Sequence, residues 1–326
     1  MIISRTPLRV SFLGGGSDIP GYYRRHGGAV LSAAIDQAVY VTVSRKFDNA
    51  VRISYSRTEE VEHASQVEHP LVREALAMLS IEGGIEITSI ADIPAKGTGL
   101  GSSSSFTVGL LNALHAYCGR HVPAAKLAQE SCHIEIERCG EPIGKQDQYA
   151  AAFGGFNFIR FHPDDTVEVN KVVCPPGLID GIQKRLLFFY TGLTRSASGL
   201  LQQQSQEMAA DKSKCNAMGS MVRLAEAAYA DLCVGKIASL GQMLDNAWQI
   251  KRQMANGISN TLIDEAYQAA IDAGAEGGKL LGAGGGGFLM FYAAPERHGS
   301  IRRALASLRE TPFRFALQGS SIIFVH

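Results

Sequence analysis

A twelve-residue segment, PAKGTGLGSSSS at positions 94–105, constrains this chain more than any other stretch. Before it, residues 85–90 alternate isoleucine with polar side chains, as a half-buried strand does. After it, apolar positions 106, 110, 113, 114 and 117 recur at helical spacing. The segment is therefore a loop from a strand into a helix. Glycines at 97, 99 and 101 let its backbone approach a ligand closely, and the serines are expected to cap a helix whose first N–H groups and dipole favour a phosphate. A Walker A loop would end in Gly-Lys-Ser/Thr, whereas this one has Gly101-Ser102-Ser103 and carries Lys96 ahead of its last glycines. A dinucleotide fingerprint fails too: Ser104 stands where a third glycine belongs, and Arg120-His121-Val122-Pro123 where an acidic residue would meet a ribose.

The 326 residues, 46% hydrophobic and 19% charged, suffice for two packed domains, with a boundary expected near residue 180, giving 1–180 and 181–326. Lys plus Arg balances Asp plus Glu at 31 each, so no overall field would gather nucleic acid or a membrane surface. An anionic ligand must be met by local donors. The six cysteines include no CxxC pair and the first residues read directly into a strand without a signal peptide, so reduced thiols in a cytoplasmic protein are expected. The apolar stretch 28–43 is interrupted by Asp36 and Gln37 and falls short of the roughly 18 residues a membrane span needs. Strands are expected at 2–13, 39–43, 51–54, 85–90, 185–190, 288–292 and 321–325, and helices from about 19, from 106, over 123–139 and over 261–273. Mixed without a strict βαβ alternation, they indicate an α+β class.

Three motifs, in order, resemble those of the GHMP kinases, named for galactokinase, homoserine kinase, mevalonate kinase and phosphomevalonate kinase. They are PLRVSFLGGGSD at 7–18, the phosphate-type loop at 94–105 and LGAGGGGF at 281–288. The resemblance implies an N-terminal α+β domain and a ferredoxin-like C-terminal domain with the active site between them, and ATP and Mg²⁺ as cofactors. It assigns the nucleotide to Lys96, Gly97, Thr98, Gly99, Leu100, Gly101, Ser102, Ser103 and Ser104, the base to Asp147 and its partner to Arg9. The metal falls to Glu135 and Ser103, the neighbouring serines being hard to separate by sequence. Glu137, two residues on, points to the other side of a helix. The acceptor falls to Gly15, Gly16, Ser17 and Asp18, and to the loop glycines Gly284, Gly285 and Gly286. Galactokinases have Gly-Glu-His where this chain has Gly14-Gly15-Gly16, which removes two polar sugar contacts and argues against galactose.

Among the family's branches, TPLRVSFLGGGSDIP, GEPIGKQDQYAAAFGGFNFIRF and GGKLLGAGGGGF look most like the D-glycero-D-manno-heptose 7-phosphate kinases. That likeness implies phosphorylation of an anomeric hydroxyl, a 1,7-bisphosphate product and a place on the route to GDP-heptose for surface glycans. The sugar's own phosphate then needs cationic donors, for which Arg195, Arg45, Lys46, Arg52 and Arg57 are candidates. An anomeric kinase for an unphosphorylated sugar, such as fucose or a uronic acid, is the second reading. A nucleotide-binding regulator without catalysis is a third, and it predicts loss of Asp147 or Glu135, both of which are present. The partners expected are small molecules, and a homo-oligomer stays open.

Overall fold

Two sheets organise residues 1–94, 97–194 and 197–326, which the computed structural model describes. The chain begins with β1 (Ile2–Leu13), α1 (Pro20–His26), β2 (Gly28–Arg45), β3 (Val51–Ser54), β4 (Thr58–Val61), α2 (Pro70–Met78), β5 (Ile85–Ala91) and α3 (Ser102–Tyr117). It continues with α4 (Ala124–Cys132), a π-helical turn (His133–Arg138), α5 (Gln146–Phe153), β6 (Phe156–Phe161), β7 (Val167–Lys171) and α6 (Leu178–Lys184). Next come β8 (Leu186–Tyr190), α7 (Ala197–Ala210), α8 (Lys212–Cys233), α9 (Leu240–Arg252) and α10 (Thr261–Asp272). The chain closes with β9 (Gly277–Leu280), β10 (Phe288–Tyr292), α11 (His298–Ala304), β11 (Arg309–Glu310) and β12 (Ser321–Val325).

The larger sheet runs β12-β1-β2-β5-β3-β4, with β6 and β7 branching from β2. The strand expected over 39–43 is the second half of β2, an 18-residue strand that pairs with β6 through residues 28–33 and with β5 through 39–45. Both α3 and α8 pack on β2, and its first eight residues are all buried. A strand covered on both faces loses its polar alternation, so its sequence reads as one apolar run. The second half of β1 is buried without interruption in the same way.

Two expectations change. The helix over 123–139 is α4 followed by a π-helical turn, a wider winding that shifts which side chains face inward. And the serines do not cap α3: its N-cap is Gly101, in the left-handed region at φ 75°, and Ser102 to Ser105 form the first turn.

The smaller sheet, β11-β8-β10-β9, is antiparallel throughout and holds a separate core around Trp248, Phe189, Tyr267 and Phe291. The end of the chain returns to the larger sheet, where β12 pairs with β1 from Ile2 against Val325. Among the described residues no helix is long and apolar enough to cross a membrane, and the six cysteines are free thiols.

Candidate active site

Backbone contact between two glycine loops joins the sheets. A Cβ on Gly282 would lie 2.3 Å from the Cα of Gly99, and one on Gly99 would lie 2.4 Å from the carbonyl oxygen of Leu281, so neither loop tolerates a side chain there. Beside this contact opens a cleft of 590 Å³ that both sheets line. At its centre stands Arg9, from β1. Its Nε donates to Asp147 Oδ1 at 2.8 Å, its Nη2 to Asp147 Oδ2 at 2.7 Å and its Nη1 to the Gly99 carbonyl at 2.7 Å. Asp147 occupies the first turn of α5, where the helix dipole favours a carboxylate. Arg9 is nearly buried and Asp147 about a quarter exposed, so the pair is held on one side and open to the cleft on the other.

Gly97, Thr98, Gly99, Gly101, Ser102, Ser103 and Ser104 line the cleft at the N-terminus of α3. The first N–H groups of a helix lack intrahelical acceptors, which fits this end for an anion. The Thr98 hydroxyl is buried and has no hydrogen-bond partner among the described residues. Behind it lies Glu135, on the π-helical turn and 1% exposed. Its carboxylate accepts from Ser104 Oγ at 2.8 Å, Thr107 Oγ1 at 3.0 Å and Ser103 Oγ at 3.4 Å, and from Gln148 Nε2. Burial outweighs those donors and pushes its pKa up to about 7. Glu137 is exposed and bonds His133 Nδ1 at 2.7 Å.

On the other side of Arg9 the turn after β1 brings Gly15, Gly16 and Asp18 into the wall. Asp18 is buried and accepts from the backbone N–H groups of Gly16 and Gln146, each at 3.0 Å. Desolvation raises its pKa above the ordinary carboxylate value, helped by the nearby charge of Asp147. Two lysines that sequence reasoning missed complete this region. Lys251 of α9 donates to the Gly282 carbonyl, and Lys279 of β9 donates to the Phe12 carbonyl at 3.0 Å. Each is at most 6% exposed, and burial brings Lys251 down to about 8 and Lys279 well below the usual lysine value.

Several expected residues lie elsewhere. Ser17 is off the cleft wall because its hydroxyl is spent on the fold, donating to the Ala29 carbonyl and accepting from the Ala29 N–H, both at 3.1 Å. Leu100 is fully buried in the core, and only its carbonyl serves the site, accepting the Arg9 N–H at 3.0 Å. Gly282 and Ala283 line the cleft, but Gly284 packs on Ile258, Gly285 donates its N–H to the Ile258 carbonyl at 2.9 Å and Gly286 packs on Leu193. Lys46 pairs with Asp48 and Glu60, Arg52 with Glu86, and Arg57 with Glu59 and Glu68; neither they nor Arg45 lines the cleft. Lys96 and Arg195 lie outside the described residues.

Comparison with known proteins matches this architecture. The sequence model for the GHMP kinases N terminal domain matches residues 69–155, and that for the GHMP kinases C terminal matches 225–311. A D-glycero-alpha-D-manno-heptose 7-phosphate kinase of Campylobacter jejuni is 29% identical over 93% of this chain and 93% of its own. An L-fucokinase/L-fucose-1-P guanylyltransferase of Bacteroides fragilis is 26% identical over 96% of this chain but 37% of its own. Among solved structures, a D-glycero-D-manno-heptose 1-phosphate kinase of Bacteroides thetaiotaomicron superposes with a TM-score of 0.82 at 26% identity, covering all of both chains. With both family domains matched in order around a cleft of this construction, the chain belongs to the GHMP kinase family and is an ATP-dependent kinase.

Proposed function

We propose that this kinase transfers the γ-phosphoryl group of ATP to the anomeric hydroxyl of D-glycero-D-manno-heptose 7-phosphate, giving the 1,7-bisphosphate on a route to GDP-heptose for surface glycans. One observation carries the reading: the Arg9–Asp147 pair faces the cleft between a phosphate-type helix terminus and the turn bearing Asp18. Phosphoryl transfer asks for an acceptor oxygen placed in line and a group to take its proton. Asp147 takes that proton, and Arg9 fixes its carboxylate by two parallel bonds. An anomeric hydroxyl is more acidic than an ordinary alcohol, which suits a carboxylate base. Asp18, held by two backbone donors, keeps lone pairs for sugar hydroxyls.

Mg²⁺ is part of the proposal. Among the described residues no group of three or more His, Cys, Asp or Glu side chains is arranged to hold a metal, so phosphate oxygens and water must complete its shell. Glu135 with Ser103 or Ser104 fits that need, offering one carboxylate and hydroxyl oxygens behind the phosphate-type loop. When bound, the ion neutralises phosphate charge.

The likeness to the Bacteroides fragilis fucokinase favours a second reading, an anomeric kinase for an unphosphorylated sugar. The two are separated by measuring kcat/KM with ATP and Mg²⁺ for heptose 7-phosphate, heptose, fucose and a uronic acid. The proposal expects heptose 7-phosphate to lead by at least about tenfold, the worth of one charged hydrogen bond. Equal or better turnover of an unphosphorylated sugar gives the second reading its place, and no turnover of any of the four would set both readings aside in favour of another acceptor.

A further inference from the structure

Lys251 and Lys279 are buried cations without an ion-pair partner among the described residues, and both face the cleft. Lys251 lies near enough to Asp18 and Asp147 to feel their charge, but also that of Arg9; the charges acting on Lys279 are Lys251 and Arg9, both positive. Those carboxylates are already bonded, Asp147 by Arg9 and Asp18 by two backbone N–H groups, and each ammonium itself donates only to a carbonyl; desolvated cations so placed are costly to keep, so the pair fits a site that an anion completes. The nucleotide's phosphates already have donors in the N-terminus of α3 and in Thr98. The lysines come instead from α9 and β9, Lys251 bonding the Gly282 carbonyl next to its contact with Gly99. Lys279 is tied to Phe12, three residues beyond Arg9 along β1 and next to the turn of Gly14 to Gly16.

We propose that Lys251 and Lys279 form a second phosphate seat, which receives the ester phosphate already present on the acceptor while its anomeric hydroxyl lies at Asp147. This rests on the sugar-phosphate reading above and adds to it the residues that make the enzyme select a phosphorylated acceptor. A dianionic ester would restore both ammonium charges and accept from each, as charge-assisted hydrogen bonds do. Lys251, bonded to the Gly282 carbonyl at the loop contact, closes the seat toward the reacting centre; Lys279, bonded to the Phe12 carbonyl, forms its floor.

The test compares wild type with Lys279→Met and Lys251→Met, substitutions that keep length and remove the ammonium. The readout is the ratio of kcat/KM for heptose 7-phosphate to that for unphosphorylated heptose. That ratio should fall about 10- to 150-fold in each variant, with the KM for ATP kept within about twofold. A ratio that stays at the wild-type value, with equal losses on both sugars, or a rise in the KM for ATP that matches the loss, overturns the seat. A direct measurement separates this failure from failure of the substrate reading. In enzyme saturated with Mg²⁺ and a non-hydrolysable ATP analogue, inorganic phosphate should raise the melting temperature of wild type and not of the Lys251→Met/Lys279→Met double variant. Equal phosphate shifts in both proteins overturn the seat even if wild type prefers heptose 7-phosphate. A shift confined to wild type supports the seat even if another phosphorylated acceptor proves to be the substrate. If either single variant fails to fold, Lys279→Arg and Lys251→Arg, which keep the charge, should retain most of the ratio, and losing it at that charge-preserving site counts against the seat.

Discussion

Asp147 Oδ1 accepts from Arg9 Nε and, at 3.4 Å, from Gln146 Nε2, while Oδ2 accepts from Arg9 Nη2 and keeps a further lone pair for a substrate proton. On that assignment Asp147→Asn preserves shape but removes the acceptor, so kcat should fall by roughly 10²–10⁴ with little change in nucleotide affinity; near-normal single-turnover rates would remove Asp147 from the role. Glu135 makes a prediction in pH. Its native pKa of about 7 lies above the ordinary 4.5, so between these values the folded state binds more protons than the unfolded one. Stability is therefore highest below that window and is lost as pH rises through about 7, by on the order of 3 kcal/mol from this group alone. Glu135→Gln cannot titrate. The stability of wild type minus that of the variant, from denaturant melts, should thus fall between pH 5 and pH 8, and a flat difference would show Glu135 ionised throughout. Turnover at limiting Mg²⁺ should drop in Glu135→Gln and stay near wild type in the exposed Glu137→Gln.

At the scale of elements, the start of α3 does two tasks with one residue. Gly101 adopts the left-handed conformation that lets the loop enter the helix, and a Cβ there would lie 3.2 Å from Asp147 Oδ2 and 3.3 Å from Arg9 Cγ. Gly101→Ala should cost about 1 kcal/mol through its backbone and, by displacing the carboxylate, lower kcat at least about tenfold. Gly119→Ala is the control, since its φ is also positive at 71° but its Cβ would meet open space. It should lose similar stability and keep its turnover. If both variants lose turnover alike, strain in α3 rather than contact with the ion pair is responsible. The π-helical turn shows how an element can be seen in a sequence while its winding is not. Residues 123–139 have helical spacing, but the turn that buries Glu135 comes from packing of α4 on α3 and α5.

In the whole molecule the two sheets share an apolar core, and their glycine loops touch beside the cleft. Gly282→Ala would press a Cβ to within 2.3 Å of Gly99 from a positive φ of 75°, so about 2 kcal/mol or more of stability and most of the activity should be lost together. A variant with wild-type melting temperature and kcat would mean that the loops slide past each other freely. The sequence by itself determined the parts whose cause is local. Strand periods, the glycines at 97, 99 and 101 and the motif order are fixed by backbone geometry within a few residues, and they carried the class and the family resemblance. The run at 28–43 was legible as apolar, but its role as the central strand was not, because alternation vanishes where helices cover both faces. Only the tertiary structure decided that the serines of α3 serve Glu135 and the core rather than cap their helix, and that Ser17 is spent on Ala29. It also decided that Lys251 and Lys279, ordinary charged positions in a helix and a strand, are buried beside Arg9. Burial and the desolvation of a charge depend on what the rest of the chain brings alongside, and no local pattern records that.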